Sequence, residues 1–272
     1  MNQDALKEAA GFAAVDRFVK SDMKIGLGTG STAAFVVQRL GGLLREGKVK
    51  NVLGVPTSEG TRKLAERWNI PLINLNDLAE GELLDICIDG ADEVVLPRLD
   101  LIKGRGGALL REKMVAAASK KFIVVGDSSK VVEQHRGMGL TGALPVEVVA
   151  VSSRHVLRCI SALPTVKGCC SRINLRPCQK QQRQEPDSQE KLQPQQLPVK
   201  DAEENYYVTD NGNHIVDLYF TNPVADPRAL NRDLLSVVGV VETGLFLDMA
   251  STCLIAQPDG SIQVLEAAAA AK

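Results

Sequence analysis

Apolar and polar positions recur along this chain in two rhythms, and the switches between them mark out most of its elements. Leu6, Ala9, Ala10, Ala13, Ala14 and Phe18 fall at helical spacing with charges between them, which predicts a helix over 3–20. A short apolar run predicts a strand over 23–27, followed by a helical pattern over 32–44 that ends near Gly47. Further runs predict strands at 51–55, 71–75, 83–88 and 122–125, with helices at 58–68 and 108–119 between them. Strands that alternate with helices make parallel β-α-β units, covered on both faces. In such sheets ligands collect where strands end and the next helices begin.

The rhythm changes after about residue 135. A strand over 146–151, a helix over 152–162 and a strand over 206–209 lead to the turn Asp210-Asn211-Gly212, a strong hairpin signal. An alternating strand over 215–220, a helix over 228–235 behind Pro227 and a strand over 237–241 complete a β-α-β-β-α-β order, the ferredoxin-like arrangement. The last two runs, 252–257 and 261–265, read as a hairpin returning to the first sheet. The expected fold is therefore α/β: a Rossmann-like parallel-sheet domain (1–134 and 244–272) with a smaller inserted α+β ferredoxin-like domain (135–243). Residues 179–196 contain eight glutamines and almost nothing apolar. So little buriable surface cannot offset ordering entropy, which predicts a disordered surface insertion over 168–204.

Charge and composition narrow the partners. Lys+Arg of 32 against Asp+Glu of 33 gives a net charge of -1, which argues against bulk binding to nucleic acid or an anionic membrane. Aromatics at 4% leave few platforms for stacking bases. No apolar run approaches the roughly 18–20 residues of a membrane span. Asp4, Glu8 and Asp16 interrupt what a signal peptide would need. Six cysteines without a C-x-x-C pair then read as reduced thiols, the Cys169-Cys170 neighbours included. The expected setting is the cytoplasm, or the plastid stroma after removal of a transit peptide, and the expected partner is a small molecule.

Three stretches carry the candidate chemistry. Gly26-Leu27-Gly28-Thr29-Gly30-Ser31-Thr32 joins a strand to a helix, where backbone N–H groups and the helix dipole can meet an anion. It is neither G-x-G-x-x-G nor a P-loop, and a plain tight turn is an equal reading of it alone. Ile88-Asp89-Gly90-Ala91-Asp92-Glu93 crowds carboxylates at a strand end, so a pKa must rise or a cation must sit nearby, unless Asp92 only caps a turn. Lys103-Gly104-Arg105-Gly106-Gly107 supplies a cation and a bend before the helix carrying Glu112, though a surface ion pair would look the same. Lys130, after the turn Gly126-Asp127-Ser128-Ser129, occupies another strand end. His135, His155 and His214 adjoin none of these, so a histidine metal site has no support. A phosphate cradle, acids, bases and a cation suit proton transfer on a phosphorylated carbonyl compound, with no metal or organic cofactor invoked.

These stretches, with Asp127-Ser128-Ser129-Lys130, Pro145-Val146-Glu147-Val148 and Thr209-Asp210-Asn211-Gly212-Asn213 in the same order, resemble the ribose-5-phosphate isomerase A family. The resemblance covers nearly the whole chain outside the glutamine-rich segment. It implies metal-independent interconversion of ribose 5-phosphate and ribulose 5-phosphate through an enediolate, by a homodimer or homotetramer. It makes Glu112 the base between C1 and C2, with Asp89 and Asp92 handling hydroxyl protons or orienting the sugar. Lys103 would stabilise the developing oxyanion. Thr29, Gly30, Ser31, Thr32 and Lys130 would line the pocket and its phosphate end, with Gly90, Ala91, Gly104, Arg105 and Gly106 completing it. Val95 and Arg105 depart from the family pattern, which has an acid and a glycine there, so Arg105 is expected to crowd the sugar or shift the phosphate. The competing readings are a sugar-phosphate-sensing regulator, which would need a DNA-binding module, and an aminosugar deaminase, which would want a histidine near the carboxylates.

Overall fold

The computed structural model describes residues 2–132, 137–178 and 206–267. The chain opens with α1 (Gln3–Phe18), whose first turn is capped by the Asn2 side chain accepting from Ala5 N. Then come β1 (Lys24–Leu27), α2 (Ser31–Arg45), β2 (Leu53–Pro56), α3 (Glu59–Arg67), β3 (Ile86–Gly90), β4 (Glu93–Val95) and β5 (Asp100–Ile102). α4 (Leu109–Ala117), β6 (Phe122–Asp127), β7 (Val131–Val132), β8 (Leu144–Val148), α5 (Ser153–Ala162) and β9 (Cys170–Leu175) follow. The chain continues through β10 (His214–Phe220), α6 (Pro227–Ser236), β11 (Val240–Thr243), β12 (Leu245–Phe246), β13 (Thr252–Ala256) and β14 (Ile262–Glu266).

The largest sheet has six strands in the order β14-β13-β6-β3-β1-β2, all parallel except the hairpin strand β14. The chain runs outward from β1 to β2 and returns on the other side of β1 as β3. The carboxyl ends of β1 and β3 therefore flank a topological switch point, where open α/β sheets bind ligands. Period-two alternation sorts the strand residues between two cores. Ile86 and Ile88 share one with Leu6, Ala10 and Val36 of α1 and α2; Cys87 and Val124 share the other with Val115 and Ala116 of α4.

The second sheet has the order β11-β8-β10-β9, antiparallel throughout, with a core of its own around Val146, Val148, Ile160, Leu218 and Leu234. Its connectivity is the ferredoxin-like one, but its second strand is not the expected 206–209. That place is taken by Cys170–Leu175, inside the span read as disordered, and Tyr206 makes an isolated bridge to Pro177. Residues 168–178 are thus ordered structure, and the rest of the proposed insertion lies outside the described residues. Likewise 71–75 is no strand: Leu72 makes one bridge to Gly54, and a 3-10 turn, Leu75–Asp77, follows.

A third sheet, unforeseen, has the order β12-β5-β4-β7. It splices the other two together, since Ile102 of β5 and Leu245 of β12 enter the core of the antiparallel sheet while Val94, Leu101 and Phe246 enter the core beneath α4.

Candidate active site

The geometry of the site begins with a close approach between β1 and β3. A Cβ on Gly28 would stand 2.2 Å from Asp89 Oδ1, so only glycine leaves room for that carboxylate. Asp89 follows Cys87 on the α4 side of β3, which buries it completely. Its Oδ1 accepts from the backbone N–H groups of Thr29 (3.0 Å) and Gly90 (2.7 Å), and its Oδ2 faces Lys103 Nζ at 3.0 Å.

Lys103 arrives from the third sheet, where its N–H donates to Gly244 O at 2.9 Å. Its ammonium donates to Gly90 O at 2.5 Å and lies 3.4 Å from Glu112 Oε2, with the Phe246 ring centroid 5.5 Å away. Glu112, in the first turn of α4, is 4% exposed and Lys103 only 2%. Asp89 Oδ2 and Glu112 Oε2 both stand within ion-pair reach of Lys103.

Burial governs the protonation of this trio. It pushes the Glu112 carboxyl up to about 8 against the pull of Lys103, and the negative charges of Asp89 and Asp92 add to the rise. Burial likewise raises Asp89, opposed by Lys103 and the two backbone donors. On Lys103 burial acts downward, but Asp89 and Glu112 outweigh it and the ammonium is held above its ordinary range. The result is a fixed cation beside a carboxylate that takes up protons more readily than an exposed one.

A helix N-terminus of the kind that suits an anion lies next to this trio. The N-cap of α2 is Gly30, whose φ of 105° suits glycine and which offers no side chain, so no side-chain cap pairs the first N–H groups of this fifteen-residue helix. A cavity of about 170 Å³ joins this helix start to Lys103 and Glu112. It is lined by Thr29, Gly30, Ser31, Thr32, Gly90, Ala91, Asp92, Lys103, Gly104, Gly106, Glu112 and Lys130. It is small beside the roughly 300–1,000 Å³ of drug-sized pockets, in keeping with a small polar ligand.

Two of the expected residues stand outside its wall. Asp89 is not among the lining residues, though its Oδ2 is 3.0 Å from the Lys103 ammonium. Arg105 is turned away: its guanidinium donates to Glu93 Oε1 (2.8 Å), Ala143 O (2.9 Å) and Thr141 Oγ1 (3.1 Å), and only its backbone N–H engages the site, donating to Asp92 Oδ2 at 3.0 Å. The expectation that Arg105 crowds the sugar finds no support in this arrangement, where a fully buried carboxylate holds its side chain. Thr29 lines the cavity, but its hydroxyl is tied into a cluster with Thr57 (2.7 Å), Ser58 (2.9 Å) and Thr61 (3.1 Å).

Gln3 and Lys7 of α1 line the cavity and were not anticipated. Nothing in a charged amphipathic helix marks one lysine as inward; packing of Leu6 and Ala10 into the sheet core carries this first turn to the rim. Of the histidines, His214 contacts Ser153 Oγ at 2.9 Å in the antiparallel sheet, His155 contacts Cys159 Sγ at 3.5 Å, and His135 lies outside the described residues. All six cysteines are free thiols. Among the described residues no three His, Cys, Asp or Glu side chains are grouped to hold a metal, and no helix is long and apolar enough to cross a membrane.

Comparison with known proteins bears on the same residues. The family model for ribose 5-phosphate isomerase A (phosphoriboisomerase A) matches residues 53–260. A ribose-5-phosphate isomerase of Plasmodium falciparum is 38% identical, with 96% of this chain and 98% of the relative covered. Ribose-5-phosphate isomerase A of Gloeobacter violaceus is 41% identical over 99% of this chain and 100% of its own length. The solved ribose 5-phosphate isomerase from Plasmodium falciparum superposes with a TM-score of 0.82 at 37% identity, covering 97% and 98% of the two chains. A D-ribose-5-phosphate isomerase solved in complex with phospho-erythronic acid gives 0.80 at 31%, covering 98% of this chain and 100% of that one. With the buried trio, the open helix end and these matches in agreement along nearly its whole length, the chain belongs to the ribose 5-phosphate isomerase A family.

Proposed function

We propose that this chain interconverts D-ribose 5-phosphate and D-ribulose 5-phosphate by proton transfer, with Glu112 as the base. The observation that carries the reading is the buried Asp89–Lys103–Glu112 trio, whose Lys103 and Glu112 line a small polar cavity. In the forward direction Glu112 takes the proton from C2 of the open-chain aldose. The electron pair moves into a C1–C2 double bond, and the carbonyl oxygen on C1 becomes an oxyanion beside the Lys103 ammonium. Returning the proton to C1 while the C2 hydroxyl loses its own gives the ketose; Asp92 at the wall serves these hydroxyl protons. Asp89, held by the backbone N–H groups of Thr29 and Gly90 and paired with Lys103, keeps Lys103 charged and aimed.

The magnitudes suit the task. A positioned general base contributes about 10²–10⁴-fold, and one preorganised donor at a developing oxyanion about 10²–10³-fold. The phosphate would rest on the N-terminal N–H groups of α2, the hydroxyls of Ser31 and Thr32, and the ammonium groups of Lys7 and Lys130. Binding energy from that remote end then serves the reacting carbons. Phospho-erythronic acid, bound by a relative, has a planar carboxylate where the enediolate would have its two oxygens, and a phosphate at the far end. The proposal includes assembly as a homodimer or homotetramer, which sedimentation of the purified chain tests, and a cytoplasmic or stromal location.

The deciding experiment incubates chelator-treated protein with ribose 5-phosphate in D₂O. Ribulose 5-phosphate carrying deuterium at C1, and recovered ribose 5-phosphate carrying it at C2, is the expected result. Turnover without deuterium uptake, or turnover only on metal addition, would overturn the enediolate route.

A further inference from the structure

Behind α4, on the side away from the cavity, a second set of polar groups connects the antiparallel sheet to the catalytic helix. Glu147 lies on β8 between Val146 and Val148, which face the sheet's own core, so its side chain points to the opposite face, where it is fully buried. Its Oε1 accepts three hydrogen bonds, from Thr209 Oγ1 (3.0 Å), Asn211 Nδ2 (2.9 Å) and Asn213 Nδ2 (2.9 Å), while Oε2 has no partner. Such a buried carboxylate, with three donors converging on one oxygen, fixes the whole turn from 209 to 213.

The consequence reaches α4 through one amide. With Nδ2 committed to Glu147, Asn211 presents Oδ1 to Arg111 Nε at 2.7 Å. A guanidinium only donates, so this is the one orientation of the amide that satisfies both neighbours. Arg111 also donates to Asp210 O (2.9 Å) and Glu59 Oε1 (2.9 Å), while Glu59 N donates to Asp210 Oδ2 (2.8 Å). The residue next to Arg111 in the first turn of α4 is Glu112. That turn has no side-chain cap of its own, its N-cap being Ala108.

We propose that Glu147 and Asn211 are positioning residues: acting through Arg111, they set the rotation and depth of the first turn of α4 and so place the Glu112 carboxylate against Lys103. This rests on Glu112 being the base. Neither residue lines the catalytic cavity, so the effect belongs in turnover rather than in substrate capture. A misplacement of about 1 Å can cost on the order of 10²-fold in rate.

The test measures kcat and KM for N211L, E147L and E147Q, each alone and with E112Q, at a temperature well below the melting point of every variant. N211L and E147L are expected to lower kcat about 10–100-fold with KM within about threefold. E147Q should recover most of that loss, because its Oε1 still accepts and its new N–H₂ falls where Glu147 has no partner. With E112Q present, N211L should cost nothing more, since there is no base left to place. N211L keeping over half of wild-type kcat, or losing as much with E112Q as without it, would overturn the proposal. So would E147Q behaving like E147L. If E112Q alone retained near-normal turnover, the base assignment would fall first; a dead E112Q beside a normal N211L would remove the positioning role alone.

Discussion

Glu112 gains its character from where it is buried, and two predictions follow at that scale. Glu112→Gln keeps shape and packing but removes the base, so kcat should fall about 10²–10⁴-fold while phospho-erythronic acid still binds; single-turnover assays and calorimetry read the two. The pH dependence has a definite sign. The base works deprotonated, and burial has raised it to about 8, so kcat/KM should climb with rising pH and level off above that value. An exposed glutamate would place the limb near 4.3, so a limb at or below about pH 5 would show that burial does not raise the Glu112 carboxyl. Lys103, held above its ordinary range by its two carboxylates, stays charged across the same window. The sequence put the segments carrying Asp89, Lys103 and Glu112 near strand ends, and the family resemblance singled out Glu112 as the base. It gave no sign that Arg105 turns its back on the cavity, since its partner Glu93 lies twelve residues earlier on a strand of only three residues.

Arg105 acts between elements. Its guanidinium joins the active-site bend to Glu93 of β4 and to the 139–143 loop, where Gly139 N and Thr141 N also donate to Glu93. Arg105→Ala would leave a fully buried carboxylate short of its cation. Removing one partner of a buried pair costs about 3–5 kcal/mol, and since the Arg105 side chain is 24% exposed the loss should sit at or below the low end. Chemical denaturation measures it, and KM for ribose 5-phosphate should change far less than stability does. Elements with a full period were legible: α1, α2, α6 and the parallel strands stand within a few residues of where the apolar pattern put them. Those that escaped have physical reasons. β9 lies at a sheet edge with Ser171 and Arg172 exposed, so it lacks the alternation of a half-buried strand. β7 and β12 are two residues each, too short for any period. We propose that the chain divides near 134/135 and 243/244, with the third sheet as the joint.

At the scale of the whole molecule, the cavity draws on α1, three strand ends of the parallel sheet, the bend after β5, and α4, so a ligand there braces most of the fold at once. Phospho-erythronic acid at a hundred times its dissociation constant should stabilise the chain by about 2.7 kcal/mol, read as a rise in melting temperature. Lys7→Ala or Lys130→Ala should shrink that rise at equal ligand concentration by weakening the phosphate end; an undiminished rise would place the phosphate elsewhere.

The joint sheet also governs when the enzyme can come into being. Lys103 is anchored by Gly244 O, β5 pairs with β12, and β13 inserts between β6 and β14 only after residue 252 has been made. From residue 112 to residue 244 a nascent chain therefore carries its glutamate, its lysine and its phosphate turn without the β12 pairing and the Gly244 carbonyl that anchor Lys103. Catalysis must wait until the final strands leave the ribosome, so a polypeptide stopped before Gly244 should turn over no sugar even though every reacting side chain is already in it.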